Sequence, residues 1–244
     1  MLEELIKALY IAKKDLKEYY LKPGTVGWGV IFPLAFTLAF LLKRGGGSLW
    51  IAPGLVSLTI FFSSTSMSAT SIVFERKTGS FERLLLFPVR YASIALGKTL
   101  GSFFFSLLTS LSTVLVIYLL IRVPPANLLL FAVCVLAAVF QSSSFGVLLS
   151  FGVKDPSQTM TVFNLVRFPM LFLSGVIIPL SSLPVPLQAL AYAMPLTYIT
   201  GSIRYSYLGF NELVFHPLLS LVAVIAQSII FIALTAWLIK KSIP

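Results

Sequence analysis

The sequence predicts an all-α integral membrane protein, with six transmembrane helices, an N-terminal amphipathic helix in the membrane interface and a re-entrant helical segment before the last span. Three observations predict it. The 244-residue chain is 58% hydrophobic and only 11% charged. Its mean hydropathy is +0.98. Its apolar residues gather into runs close to the roughly 20 residues that cross a bilayer. A soluble domain is typically about 25% charged and about 45–50% apolar. A chain as apolar as this one has too little polar surface to face water, so lipid is the solvent for most of it.

Within residues 1–22, Leu2, Leu5, Ile6, Leu9, Ala12, Leu16 and Tyr20 recur at helical spacing, while Lys7, Lys13, Lys14 and Lys17 lie off that stripe. This is the pattern of an amphipathic helix. Such a helix lies in the interface with its lysines toward anionic head groups, or docks on a soluble partner; the span that follows at once favours the interface. The mixture of acids and lysines lacks the continuous apolar core of a signal peptide. Pro23 and Gly24 break the helix.

Spans are then expected at 25–42, with Pro33 inside it, and at 49–73, 92–121, 126–151, 158–180 and 217–239. The second is rich in hydroxyls, with Ser63, Ser64, Thr65, Ser66, Ser68 and Thr70 in close succession. Hydroxyls of this kind let helices pack closely and hydrogen-bond to one another. Segment 181–216 is apolar but broken by Pro184, Pro186 and Pro195, so it offers no clean crossing. It reads as half-helices that dip in and return, shielded by protein, or as a surface loop; its Leu, Ala and Tyr content favours the first.

The net charge is +10, from 18 basic and 8 acidic residues. Clustered basic charge can mark nucleic-acid binding. Here the basic residues sit between apolar runs, where they orient the chain and meet lipid head groups, so no nucleic-acid partner is expected. Thirteen lie on the side of the N-terminus: Lys7, Lys13, Lys14, Lys17, Lys22, Arg76, Lys77, Arg83, Arg90, Lys98, Lys154, Lys240 and Lys241. Four lie on the other: Lys43, Arg44, Arg122 and Arg204. The excess belongs in the cytoplasm, which puts both termini inside a multi-pass protein of the cell membrane.

No catalytic or metal site is legible. The single cysteine, Cys134, lies in an apolar run, and the single histidine, His216, stands at a span end. Gly97-Lys98-Thr99 looks like the end of a phosphate-binding loop, but position 92, where the pattern needs glycine, is Ala92. Gly97 and Gly101 fit a small-xxx-small packing face better. The chain is therefore not expected to be an enzyme. A secondary transporter or channel would need ionisable groups at mid-membrane. All eight acids (Glu3, Glu4, Asp15, Glu18, Glu75, Glu82, Asp155 and Glu212) lie outside the spans or at their ends.

The most charged internal loop is Glu75-Arg76-Lys77-Thr78-Gly79-Ser80-Phe81-Glu82-Arg83, followed by three leucines, Phe87 and Pro88. Ser80 is placed to cap a short helix from Phe81 to Phe87. Its charges and apolar tail suit docking into a partner's groove, and equally suit a solvated turn carrying orienting charge.

This loop, together with Gly97-Lys98 opening the next span, resembles the coupling segment of permease subunits of ATP-binding-cassette type-two exporters, the daunorubicin-resistance-like class. A second block is similar as well: Leu173-Ser174-Gly175-Val176-Ile177-Ile178-Pro179-Leu180, Leu183-Pro184, Met194-Pro195-Leu196-Thr197-Tyr198, and Arg204 before Leu208-Gly209. The resemblance covers essentially the whole chain as one permease domain. It implies a dimer of permeases that forms the pathway, and two separate ATP-hydrolysing subunits that carry ATP and Mg. The coupling loop 75–88 and the N-terminal helix would face those subunits, and an outer lid would include Pro184, Pro195, Thr197, Tyr198 and Arg204. No cofactor is expected on this chain.

Candidate pathway residues are Arg167, Ser64, Ser68 and Phe172. Arg167 is the one charge deep in a predicted span, where a central arginine costs about 2.5–3.5 kcal/mol on insertion scales. It faces protein or water: either it lines the pathway and attracts an anionic group, or it snorkels or bonds to carbonyls or an acid on another helix.

Overall fold

A computed structural model of the chain describes residues 2–20, 31–43, 49–153, 155–209 and 217–241. Pro23, Gly24, the start of the first predicted span, Lys22, Arg44, Lys154, Glu212 and His216 lie outside them. Every regular element among the described residues is a helix, with no strand among them. In order they are α1 (Leu2–Asp15) with a π turn over Leu16–Tyr20, α2 (Phe32–Lys43), α3 (Ile51–Lys77), α4 (Ser80–Leu85), α5 (Tyr91–Ile121), α6 (Leu128–Ser150), α7 (Thr159–Leu173), α8 (Val185–Tyr192), α9 (Pro195–Leu208) and α10 (Pro217–Lys241).

Four of these, α3, α5, α6 and α10, are long and apolar enough to cross a bilayer. The other two predicted crossings correspond to shorter helices among the described residues, α2 with 12 residues and α7 with 15. At 1.5 Å per residue the 15 residues of α7 fall short of a bilayer core of about 30 Å, whereas the described stretch that holds α2, 31–43, adjoins residues outside the described ones at both ends. The expected fifth span, 158–180, stops early because Ser174 ends the helix and Gly175 turns the chain at φ 75. α3 runs past the expected end at 73 to Lys77, which brings Glu75 and Arg76 into its last turn.

The bundle is built around α3. Its residues from Ile51 to Ala69 are all buried, and α5, α6, α7 and α9 pack around it. The outer helices turn their large apolar residues outward: Leu108, Leu111, Leu115 and Leu119 on α5, Leu129, Val133 and Leu136 on α6, and Val222, Ile225 and Ile229 on α10 are exposed. Hydroxyls point inward instead. Water does not tolerate so continuous an apolar exterior, whereas lipid does.

The closest approaches to α3 are made by small residues and hydroxyls. Ser63 and Thr109 share a 2.7 Å hydrogen bond, Ser102 donates to the Ser64 carbonyl at 2.7 Å, and Ser68 donates to the Ser143 carbonyl at 3.2 Å. A Cβ at Gly146 would stand 2.8 Å from the Thr65 Cα, and one at Gly54 would stand 2.4 Å from the Val176 carbonyl oxygen. Close backbone approach of this kind needs glycine.

The two ends of the bundle differ. At one, Ile11 of α1, Phe81 of α4, Ile94 and Ala95 of α5 and Ile239 of α10 form a single apolar cluster. At the other, the α5–α6 turn is tied to α9: Ala126 N–H donates to the Tyr207 carbonyl at 2.9 Å, and Tyr207 Oη donates to the Val123 carbonyl at 2.8 Å.

Candidate functional site

The predicted coupling segment contains a short helix set on the end of α3. Thr78 closes α3 by donating its hydroxyl to the Phe74 and Glu75 carbonyls at 3.1 and 3.2 Å. Gly79 then adopts φ 70, a conformation that favours glycine, and redirects the chain into α4. Ser80 is not the cap expected of it: it is the first helical residue, Gly79 holds the cap position, and the Ser80 hydroxyl pairs with Thr78 at 2.8 Å. The helix ends at Leu85, two residues before the Phe87 expected from the sequence.

The nine residues Glu75 to Arg83 divide by direction. Phe81 is buried and packs edge-on against Phe151, with ring centroids 5.7 Å apart. Arg76 donates to the Phe151 and Val153 carbonyls at 3.4 and 3.3 Å. Lys77, Thr78, Glu82 and Arg83 are exposed. Together with Asp155 and Pro156 of the α6–α7 turn, Arg76, Lys77 and Glu82 line a groove of about 450 Å³. The exposed face of the hairpin thus carries both signs of charge, while its other face is anchored.

Glu75 points the opposite way. It is fully buried and accepts from Lys98 of α5 and Lys14 of α1. Lys98, 1% exposed, also holds both Asp15 oxygens at 2.9 Å. Two acids and two lysines from three helices therefore meet in one charge-balanced cluster. α1 reaches it by lying directly on α5 at Gly97, where a Cβ would stand 2.8 Å from the Ala8 carbonyl oxygen and the Ile11 Cβ. The packed face of α1 is Ala8, Ile11, Ala12 and Asp15, whereas Leu5, Ile6 and Leu9 of the predicted stripe remain exposed.

Lys98 is therefore not a head-group charge, and Gly97-Lys98 is the place where α1 docks. Sequence reasoning missed this cluster. The available signals were Asp15 in register with Ala8, Ile11 and Ala12, and a lone lysine two turns into a span.

A second pin fixes the start of α1. Glu4 accepts from the Ser93 hydroxyl at 2.6 Å and from Lys7 at 3.0 Å, and Lys7 also donates to the Pro88 carbonyl at 3.0 Å. The Ser93 and Lys7 hydrogen bonds hold the Glu4 carboxyl down to about 2. A carboxyl depressed from its usual 4.5 contributes stability above that value and loses it as pH falls toward 2. The protection factors of the Arg90 and Ser93 amides, each taken relative to the unfolded chain's exchange rate at the same pH, are expected to hold at pH 5 and to drop as pH falls through about 4 to 2. Glu4→Gln should remove that pH dependence.

The predicted lid residues lie at the end opposite α4. Pro184 and Pro195 stand at the starts of α8 and α9. Thr197 Oγ1 donates to the Ala191 carbonyl at 2.5 Å, and Tyr198 Oη donates to the Tyr192 carbonyl at 2.8 Å, which fold α8 and α9 into a tight hairpin. Arg204, counted above as an outer loop charge, is buried within α9. Its Nη2 donates to the Gly175 carbonyl at 2.7 Å, and its guanidinium sits 4.1 Å from the Trp50 ring centroid.

The candidate pathway residues are not brought together. Ser64 and Ser68 are buried in contacts of α3 with α5 and α6. Phe172 is exposed on α7. Arg167 is buried between the Phe62 and Phe163 rings, at 5.2 and 5.0 Å from their centroids. Its Nη1 reaches Asn164 at 3.5 Å, and Nε and Nη2 find no partner among the described residues. Among the described residues no cluster of His, Cys, Asp or Glu gathers as for a metal.

An apolar exterior, a hydroxyl-lined interior and several spans define a multi-pass helical membrane protein. The chain belongs to the ABC-2 type transporter family, whose model matches residues 7–208, and it is a membrane transport permease. It is 29% identical over 156 residues to ABC transporter G family member 20 of Dictyostelium discoideum, covering 64% of this chain and 21% of that protein. It is 26% identical over 219 residues to the putative transport permease ycf38 of Cyanophora paradoxa, covering 83% of this chain and 72% of the relative. With the probable multidrug ABC transporter permease YbhS of Escherichia coli it shares 25% over 195 residues, 79% of this chain and 51% of the relative. The chain thus spans about a fifth of the first of these and about half of the last.

Proposed function

We propose that this chain is the transmembrane permease of an ATP-driven exporter, working as a dimer of permeases with two ATP-binding subunits that carry ATP and Mg. In this reading it crosses the cell membrane six times with both termini in the cytoplasm. α1 lies in the inner interface, and the α8–α9 hairpin is the re-entrant outer lid. The YbhS relative, named as a probable multidrug ABC transporter permease, supports multidrug efflux.

The observation that carries the reading is the build of α4. It has one face buried through Phe81, while Glu82 and Arg83, with Lys77 at the end of α3, are exposed. It stands directly on the end of the central helix α3, so a push on α4 reaches the middle of the bundle. A solvated turn that merely carried orienting charge would need no such anchoring.

The test is co-purification of the tagged chain from its native membrane. An ATP-hydrolysing subunit is expected to co-elute, and Glu82→Lys combined with Arg83→Glu should weaken its association about tenfold by reversing the charges it meets. Recovery of the chain without any ATP-binding subunit overturns the proposal.

A further inference from the structure

We propose that Lys98 is a positioning residue for transport, a joint that makes α1 move together with the α3–α4 hairpin as one body. The proposal rests on the reading of α4 as the segment a motor subunit pushes.

Three helices converge on Lys98. Asp15 comes from the end of α1 and takes the Lys98 ammonium on both oxygens at 2.9 Å. Glu75 comes from the last turn of α3, three residues before Thr78 closes that helix, and its carbonyl accepts the Thr78 hydroxyl. Lys98 itself belongs to α5. Lys14 completes the set from the solvent side, reaching Glu75 and standing 3.8 Å from Asp15.

A charge group buried to this degree resists partial separation. Moving α1 alone would strand Lys98 with one acid and leave Asp15 with Lys14, both in a poorly solvated site. Sliding is opposed as well, since Gly97 seats the Ala8–Ile11 stretch against backbone. The far end of α1 is held separately, where Glu4 and Lys7 grip Ser93 and Pro88 on the return from α4. α1 is thus pinned on both sides of the coupling hairpin, before Glu75 leads into it and after Pro88 leads out. Displacement of α4 carries α1 with it, and so carries whatever the exposed Leu5, Ile6 and Leu9 face rests on.

The test is the distance between spin labels at Lys13→Cys on α1 and Leu86→Cys at the end of α4, both exposed positions. The full chain is used in lipid nanodiscs with Cys134→Ala. A single narrow distance is expected, and in the complex with its ATP-binding subunit it should be the same without nucleotide and with ATP plus vanadate. Lys98→Met and Asp15→Asn should each lose the narrow distance, and Lys98→Arg, which keeps the charge, should restore it.

A label pair at Leu129→Cys on α6 and Ile229→Cys on α10 serves as the reference and should stay narrow in every variant. A narrow α1–α4 distance in Lys98→Met overturns the proposal. So does equal broadening of the reference pair in both Lys98→Met and Asp15→Asn, because the cluster would then support the bundle at large. So does a nucleotide-dependent change of the α1–α4 distance in the unaltered complex. If no ATP-binding subunit associates, the exporter reading fails, while the distances in the permease alone still decide whether the joint exists.

Discussion

Replacing Lys98 by methionine is expected to lower the stability of the bundle by about 3–5 kcal/mol, the range for breaking a buried ion pair from one side. Methionine fills nearly the same volume, so the loss is electrostatic. Asp15 and Glu75 are both fully buried, and without Lys98 only Lys14 remains to face two carboxylates. In a chain of this size the thermal midpoint in detergent should fall by roughly 10 °C. Asp15→Asn should cost less, because burial already pushes the Asp15 carboxyl up to about 6 and so makes a neutral group there comparatively cheap. The combination Lys98→Met, Asp15→Asn and Glu75→Gln removes every fully buried charge of the cluster and should regain most of the lost stability. If the triple variant is no more stable than Lys98→Met alone, packing and not charge holds the site.

Arg204→Met is expected to cost about 2–4 kcal/mol, whereas Arg167→Leu should leave stability unchanged or raise it by about 1–2 kcal/mol. The two arginines are equally buried, and their surroundings give the opposite signs. Arg204 donates at 2.7 Å to the Gly175 carbonyl, at the turn where α7 ends, and stacks closely on Trp50. Losing it orphans a buried carbonyl and a desolvated cation–π contact at once. Arg167 has ring faces on two sides, but two of its nitrogens have no partner among the described residues, so the desolvation of its charge is only partly offset. Thermal midpoints of both variants in one detergent decide the matter. A gain in stability with a loss of transport in Arg167→Leu would show that the unmatched charge serves function at the expense of stability. Equal losses in both variants would mean that Arg167 is held by bonds like those of Arg204.

Much of the fold was legible because membrane helices are long and their composition is set by lipid. α5, α6 and α10 begin and end within two residues of where apolar runs and their flanking charges put them. α7 was not, since Gly175 lies in an unbroken apolar run and its φ of 75 leaves no trace in hydropathy. The short helix α4 was legible from Ser80 and the stop at Pro88, though its cap was not, because a left-handed glycine turned the chain where a serine side chain was expected to hold it. The charged cluster was the least visible part. Its members lie 83 residues apart at Asp15 and Lys98, and only the crossing of α1 over Gly97 brings them together. In one dimension each is a charge near a span end, indistinguishable from one that meets head groups.

The sheathing of α3 bears on how the protein is made. Of the four long helices it is the least apolar, and from Ile51 to Ala69 its own chain covers it completely. Lipid therefore contributes little to its depth in the membrane; hydroxyl contacts from α5 and α6, synthesised after it, do that instead. A ribosome that has finished α3 has released a segment whose partners do not yet exist. Its serines must find backbone carbonyls one turn back, as Ser57 does at Pro53 and Ser68 does at Ser64, until the later helices arrive to close around it.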